Sequence, residues 1–153
     1  MNMTYLDCNG DAQFPIMGCY GIGVGRLAAS ICQESCDEYG PGWPIPIAPW
    51  EVEICNLRND DDAVRILAEK LYDELTAAGV EVLYDNRDIR PGSMFADADL
   101  FGIPVRAIVS PKNCEKGVVE VALRDKSFKC EFSAETAVCD IKNLVWKLKD
   151  TYK

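Results

Sequence analysis

Apolar and polar positions change their spacing several times along the later part of the chain, which predicts an alternation of strands and helices. Short apolar runs predict strands at residues 51–57, 81–84 and 105–109. Between the first two runs, apolar residues recur every three or four positions over residues 60–78. That spacing is typical of an amphipathic helix with one face against a sheet.

A second helix, a hairpin and a closing helix complete the predicted fold. The second helix is expected over residues 93–100, with Ser93 as its cap and Gly102 at its end. Residues 118–123 and 127–132 each alternate at period two, which predicts a hairpin, and the spacing after Ser133 predicts the last helix. This order indicates an α/β fold, with a mixed sheet of about five strands flanked by about three helices.

The amino-terminal part differs from this α/β unit. It is predicted to form a strand, a second strand rich in glycine, and a helix that ends near Gly40. Four prolines follow within residues 41–50, so this segment cannot be a regular helix and is expected to be a stiff linker. The chain is therefore divided into residues 1–44 and residues 45–153.

Charge and composition restrict the possible functions. The 153 residues carry a net charge of −9, which argues against indiscriminate nucleic-acid binding through a basic surface. A few placed residues could still bind unstacked RNA bases. The chain has no histidine, so it lacks the commonest general base near neutral pH. Most catalytic schemes that pair a nucleophile with histidine are thereby excluded.

The eight cysteines do not indicate a metal site or a disulfide framework. They are scattered, none forms a CxxC pair, and no histidine is present to join them, so no metal is expected. No apolar run approaches the ~20 residues that span a bilayer. The first residues also lack the pattern of a secretory signal, and we expect a cytoplasmic protein with no membrane partner.

The glycine-rich run MGCYGIGVGR, residues 17–26, is the first candidate site. Its glycines leave the backbone bare, and Arg26 stands at the expected start of a helix. A guanidinium in that position could receive the phosphates of a nucleotide. The alternative is a glycine-rich packing strand followed by an ordinary helix, and the glycines alone do not decide between the two.

The residues around this run carry a family resemblance. Motif 3 of bacterial-type prolyl-tRNA synthetases, with the residues that follow it, is similar to four segments of this chain: TYLD, PIMGCYGIGVGR, WP and IAP. Farther on, DNR at residues 85–87, Gly92, and FADADLFGIP at residues 95–104 resemble the anticodon-binding domain of the related class II synthetases. The resemblance covers essentially the whole chain.

The resemblance implies roles for the amino-terminal residues. Motif 3 forms part of the site for ATP, which acts with Mg²⁺ in the parent ligase, and its residues here are Arg26, Gly21 and Gly23. The family's motifs 1 and 2 and its editing insertion do not precede this segment. We therefore expect that the chain alone cannot activate proline and needs no cofactor. The parent enzyme would be a homodimer.

The resemblance also implies an anticodon site around residues 85–92. Arg87 could contact guanine edges, because proline anticodons resemble NGG, and Arg90 lies in the same loop. Met94 and Phe95 could provide a stacking surface for bases. The alternative is a self-paired surface loop, since its acidic and basic residues alternate.

Three further residues are weaker candidates for RNA contacts. Glu51 and Glu53, on the first strand of the α/β unit, could bind base amino groups, and Arg106 lies on the third strand. Carboxylates on an exposed strand face are also commonplace without any such role.

Two functions remain from the sequence. The first is recognition of the proline tRNA anticodon, with no DNA partner, as the carboxy-terminal part of a proline–tRNA ligase in protein biosynthesis. The second is a free-standing synthetase-like domain that acts as a protein-interaction or regulatory subunit. An independent nucleotide-binding enzyme is disfavoured, because half of the expected active site is absent.

Overall fold

Two small hairpins and one helix form the amino-terminal part of the computed structural model, which describes residues 3–152. The elements are β1 (Tyr5–Leu6), β2 (Ala12–Gln13), α1 (Val24–Glu34), β3 (Cys36–Asp37) and β4 (Gly40–Pro41). β1 pairs with β2 and β3 with β4, both antiparallel. The predicted glycine strand is wrong: residues 14–23 belong to no helix or strand, and no other described strand lies alongside to pair with them.

A five-stranded mixed sheet organises the rest of the described chain. Its elements are β5 (Val52–Asn56), α2 (Asp62–Ala77), β6 (Val82–Asp85), α3 (Pro91–Phe101), β7 (Val105–Val109), α4 (Pro111–Lys116), β8 (Val118–Leu123), β9 (Lys129–Ser133) and α5 (Ala137–Asp150). The strand order is β6-β5-β7-β8-β9; β6, β5 and β7 are parallel, and β8 and β9 are antiparallel. The predicted α/β fold is confirmed, with α4 as an additional short helix.

The two faces of the sheet have different coverings. Val52 and Ile54 of β5 are fully buried in one apolar core with residues of α2 and α5. Alternation along β5 places Glu53 on the opposite face, beside Arg106 of the neighbouring β7. Helix α3 lies over this second face, so the sheet is covered unequally on its two sides.

Helices α2 and α3 begin in different ways. Asp61 caps α2 by accepting a hydrogen bond from the Ala63 amide at 2.9 Å. Helix α3 begins instead with Pro91 in its first turn, preceded by Arg90, and no side chain caps it. Ser93 is therefore not the cap that the sequence suggested.

The β3–β4 hairpin packs backbone to backbone against the end of α3. Gly102 ends that helix in a left-handed conformation, with φ 70°. A Cβ atom at Gly102 would lie 2.2 Å from the carbonyl oxygen of Pro41. The Trp43 amide donates to the Gly102 carbonyl at 3.2 Å. The amino-terminal part therefore contacts the end of α3 directly through backbone atoms.

Gly102→Ala is expected to destabilise the chain by about 2 kcal/mol or more, because it adds backbone strain and a collision with Pro41. Gly79→Ala is the matched control, since Gly79 has φ +81° and nothing within 4 Å of its would-be Cβ. The control should cost about 1 kcal/mol, from backbone strain alone. Urea unfolding measures both values, and equal losses would contradict the close packing of Gly102 on Pro41.

Candidate nucleic-acid interface

The parallel strands end together at one edge of the sheet. The chain leaves β5 at Leu57, β6 at Asn86 and β7 at Ser110. Open α/β sheets commonly bind ligands beyond the carboxyl ends of such strands. The loop that holds Arg87 follows β6 directly, so the structure places Arg87 at this edge, with its side chain 49% exposed.

Two carboxylates fix the Arg87 guanidinium. Asp85 accepts from Nε at 3.0 Å and from Nη2 at 2.7 Å, while Asp97 of α3 accepts from Nη2 at 2.8 Å. The guanidinium lowers the pKa of Asp85, chiefly through these hydrogen bonds, and the two carboxylates raise that of Arg87. Among the described residues, none accepts a hydrogen bond from Nη1 of Arg87. The loop is self-paired, yet it still presents a half-exposed, rigidly held donor.

The other predicted loop residues separate into exposed and buried ones. Arg90 is exposed, just before the first turn of α3. Phe95 is half-buried, and the Arg106 guanidinium lies 5.5 Å from its ring centroid. Met94 is fully buried and offers no surface on which a base could stack. The expected stacking role of Met94 is therefore corrected: its side chain is a buried residue of α3.

A groove of about 300 Å³ opens beside Phe95 at the same edge of the sheet. Its lining residues are Leu57, Phe95, Ile108, Ser110, Lys112, Asn113, Lys116, Glu120 and Glu131. Lys112 and Lys116 supply positive charge, and Lys116 lies 3.6 Å from Glu131. Neither lysine stands out in the sequence, because both lie on α4, whose six residues are too few to show a helical period.

Glu51 and Glu53 are not available to bases in this structure. Glu51 lies just before β5, at the opposite edge from Arg87; it forms an ion pair with Lys149 and accepts a hydrogen bond from the Glu81 amide. Glu53 is 1% exposed, and neither of its carboxyl oxygens has a hydrogen-bond partner. Burial raises the pKa of Glu53 to about 7. Both expected base contacts are therefore corrected: Glu51 is paired at the far edge of the sheet, and Glu53 is buried on the face that α3 covers.

Arg106 lies between the candidate interface and the rest of α3. Its Nη2 donates to Asp99 at 2.7 Å, and its side chain is only 15% exposed. The Nε of Arg106 is buried without a partner. Arg106 therefore lies between the sheet and α3, where it contacts Phe95, and its own side chain is largely buried.

The predicted nucleotide residues do not form an enclosed site. Gly21, Gly23 and Arg26 are exposed, and no atom lies within 4 Å of a Cβ built at Gly21. None of them lines the groove beside Phe95. These three residues alone cannot enclose an ATP molecule; a binding site would need further residues around them. Over residues 3–152, no group of three or more Cys, Asp or Glu side chains is placed to hold a metal ion.

In the same range, none of the helices combines the length and apolar character required to cross a membrane.

Comparison with known proteins identifies a family. The model of the family described as "Anticodon binding domain" matches residues 51–144. A proline–tRNA ligase of Dehalococcoides mccartyi is 52% identical over 121 residues, which are 79% of this chain and 21% of that protein. One of Geotalea daltonii is 46% identical over 149 residues, which are 97% of this chain and 25% of that protein. The chain thus spans about a fifth to a quarter of these relatives.

A solved structure supports the same fold. A prolyl-tRNA synthetase of Cryptosporidium parvum, crystallised with L-proline and AMP, superposes with a TM-score of 0.74 at 23% identity. The superposition covers 82% of this chain and 27% of the other.

Proposed function

Because this chain belongs to the anticodon-binding-domain family and aligns with bacterial proline–tRNA ligases, we propose that it recognises the anticodon of proline tRNA as part of such a ligase. The family membership confirms the resemblance drawn from the sequence motifs. The observation that carries the proposal is Arg87, held by Asp85 and Asp97 at the edge where three parallel strands end.

The site suits a small number of specific contacts. Nη1 of Arg87 can donate to the acceptor edge of a guanine, and Phe95 offers part of a ring face beside the groove. Lys112 supplies local positive charge against the overall −9, while Lys116 is paired with Glu131 in the same groove. Such a site would bind weakly to duplex nucleic acid and better to unstacked loop bases.

The proposal extends to the ligase as a whole. There, Arg26, Gly21 and Gly23 would contact ATP once other parts of the enzyme enclose them, with Mg²⁺ on the phosphates, and the enzyme would be a cytoplasmic homodimer. We also propose the division into residues 1–44 and 45–153, because Ile45 joins the sheet core whereas α1 buries no residue. Residues 1, 2 and 153 of these ranges lie outside the described part of the chain.

The test is binding of the anticodon stem-loop of proline tRNA to the full chain at low salt, compared with a stem-loop in which the two anticodon guanines are changed. We expect the changed RNA to bind at least about tenfold more weakly. Equal binding of the two RNAs would contradict recognition. Absence of any binding would favour the alternative, a protein-interaction subunit.

Asp97→Asn is expected to reduce discrimination between these two RNAs by about threefold to tenfold, because Arg87 loses one of its two anchors. Overall affinity should rise slightly, since a negative charge beside the RNA is removed. Asp88→Asn is the matched control, because Asp88 is an exposed carboxylate in the same loop. The control should raise affinity while preserving discrimination; an identical result for both variants would contradict an anchoring role of Asp97.

A further inference from the structure

A cluster of charged side chains lies where the β3–β4 hairpin meets α3 and the turn after β8. At its centre Arg124 is almost fully buried, with a side chain 5% exposed. Its Nη1 and Nη2 each donate to Asp37 at 2.8 Å, in a two-pronged pair. Its Nε donates to the backbone carbonyl of Asp99 at 3.1 Å. One guanidinium therefore joins the amino-terminal part to α3.

The same cluster continues to the candidate interface. The Asp99 carboxylate lies 3.7 Å from Nε of Arg124 and accepts from Arg106 at 2.7 Å. Arg106 in turn lies against the ring of Phe95. The charged groups form a connected series, Asp37–Arg124–Asp99–Arg106, that ends beneath the face of α3 next to the groove.

A cavity of about 420 Å³ opens beside Arg124, between the hairpin, the turn after β8 and the end of α5. Its lining includes Asp37, Trp43 and Leu123 and no residue of α3. Backbone atoms of the hairpin and of the end of α3 approach each other closely at Gly40, Pro41 and Gly102. Asp37 is the side chain through which the hairpin pairs with the buried Arg124, so the direction of the hairpin's attachment depends on this pair.

We propose that Arg124 is a positioning residue through which the amino-terminal part of the chain sets the placement of α3 and so the RNA contacts that α3 supports. This inference rests on the proposed function for its RNA consequence, although the placement of α3 can be measured without RNA. If Asp37 is removed, Arg124 is free to pair with the Asp99 carboxylate, where it competes with Arg106. Phe95 and Asp97, both on α3, then lose a fixed position.

The test uses Asp37→Asn in the full chain, with Glu38→Gln as the matched control, because Glu38 is an exposed neighbour and its replacement changes the charge equally. Asp37 is itself about half exposed, so the chain should stay folded. Amide hydrogen exchange in α3, measured without RNA, should become faster in Asp37→Asn alone. Unchanged exchange in α3 would overturn the inference.

Affinity for the proline anticodon stem-loop provides the second readout. We expect Asp37→Asn to weaken binding about fivefold and Glu38→Gln to leave it unchanged. A double-mutant cycle with Arg106→Lys separates positioning from a general loss of stability. The effect of Arg106→Lys should be about threefold smaller once Asp37 is gone, since the two residues act in one series.

The outcomes divide between the two proposals. Strictly additive effects in the cycle would overturn the positioning role. If the wild-type chain binds no RNA, the proposed function fails, and hydrogen exchange in α3 alone decides whether Arg124 positions that helix.

Discussion

Replacing Arg87 by alanine is expected to weaken binding of the proline anticodon stem-loop by about 10- to 100-fold and to remove most of the preference for its two guanines. Arg87 is the half-exposed guanidinium at the strand ends whose Nη1 has no acceptor among the described residues. Its replacement would also leave the buried Asp85 carboxylate without its charged partner, with only the backbone amide of residue 87 still donating to it. Binding should be measured for both the natural and the guanine-substituted stem-loops.

Arg65→Ala is a close control for this experiment. Arg65 is also an arginine paired with two carboxylates, Asp62 and Glu69, and its side chain is 42% exposed, but it lies on α2. The control should bind both RNAs as the wild type does. Arg87→Lys refines the comparison, because lysine keeps the charge but cannot hold both Asp85 and Asp97 in a planar fork.

Arg87→Lys should therefore retain part of the affinity while losing the discrimination. If Arg87→Ala and Arg65→Ala had the same effect, the preference for guanine would have to come from another part of the surface. The groove with Lys112 and Lys116 would then be the first region to examine.

The sheet could be predicted from the sequence because its strands and two long helices have clear periods. Each of the three parallel strands was placed within a residue or two, and Gly102 was identified as the end of α3. The glycine-rich run was misjudged because a strand requires a partner for its backbone groups, which local composition does not reveal. Helix α4 gives no periodic signal in the sequence because it is shorter than two turns.

The candidate site was only partly predictable for a related physical reason. Arg87 could be found because it follows a strand at the sheet edge. Asp97 could not be assigned to it, since a pair ten residues apart depends on how α3 crosses the sheet. Met94 and Ala98 are four residues apart and are both buried, so helical spacing would have identified Met94 as a core residue.

The environment of Glu53 differs most from what the sequence suggests. Period-two alternation places it on the face of β5 opposite Val52 and Ile54, and that face was expected to be exposed. Helix α3 covers it instead. A carboxyl group is thereby buried without a hydrogen-bond partner, and burial raises its pKa from 4.5 to about 7.

The buried Glu53 is expected to make stability fall as pH rises from about 4.5 to about 7. Below this range the carboxyl is protonated in both folded and unfolded chains, and above it both are ionised. Within it the folded chain keeps a proton that the unfolded chain has lost, so the free energy of unfolding decreases with pH. The shift corresponds to about 3 kcal/mol in total.

Glu53→Gln should abolish this decrease, because glutamine has nearly the same shape and does not titrate. Urea unfolding at pH 5 and pH 8 gives the difference between variant and wild type, in which the titration of all other groups cancels. Glu120→Gln is the control, since Glu120 is a carboxylate on the same face of the sheet that pairs with Lys129. The advantage of Glu53→Gln over wild type should grow by about 2.5 kcal/mol between the two pH values, and an advantage independent of pH would show that Glu53 is ionised throughout.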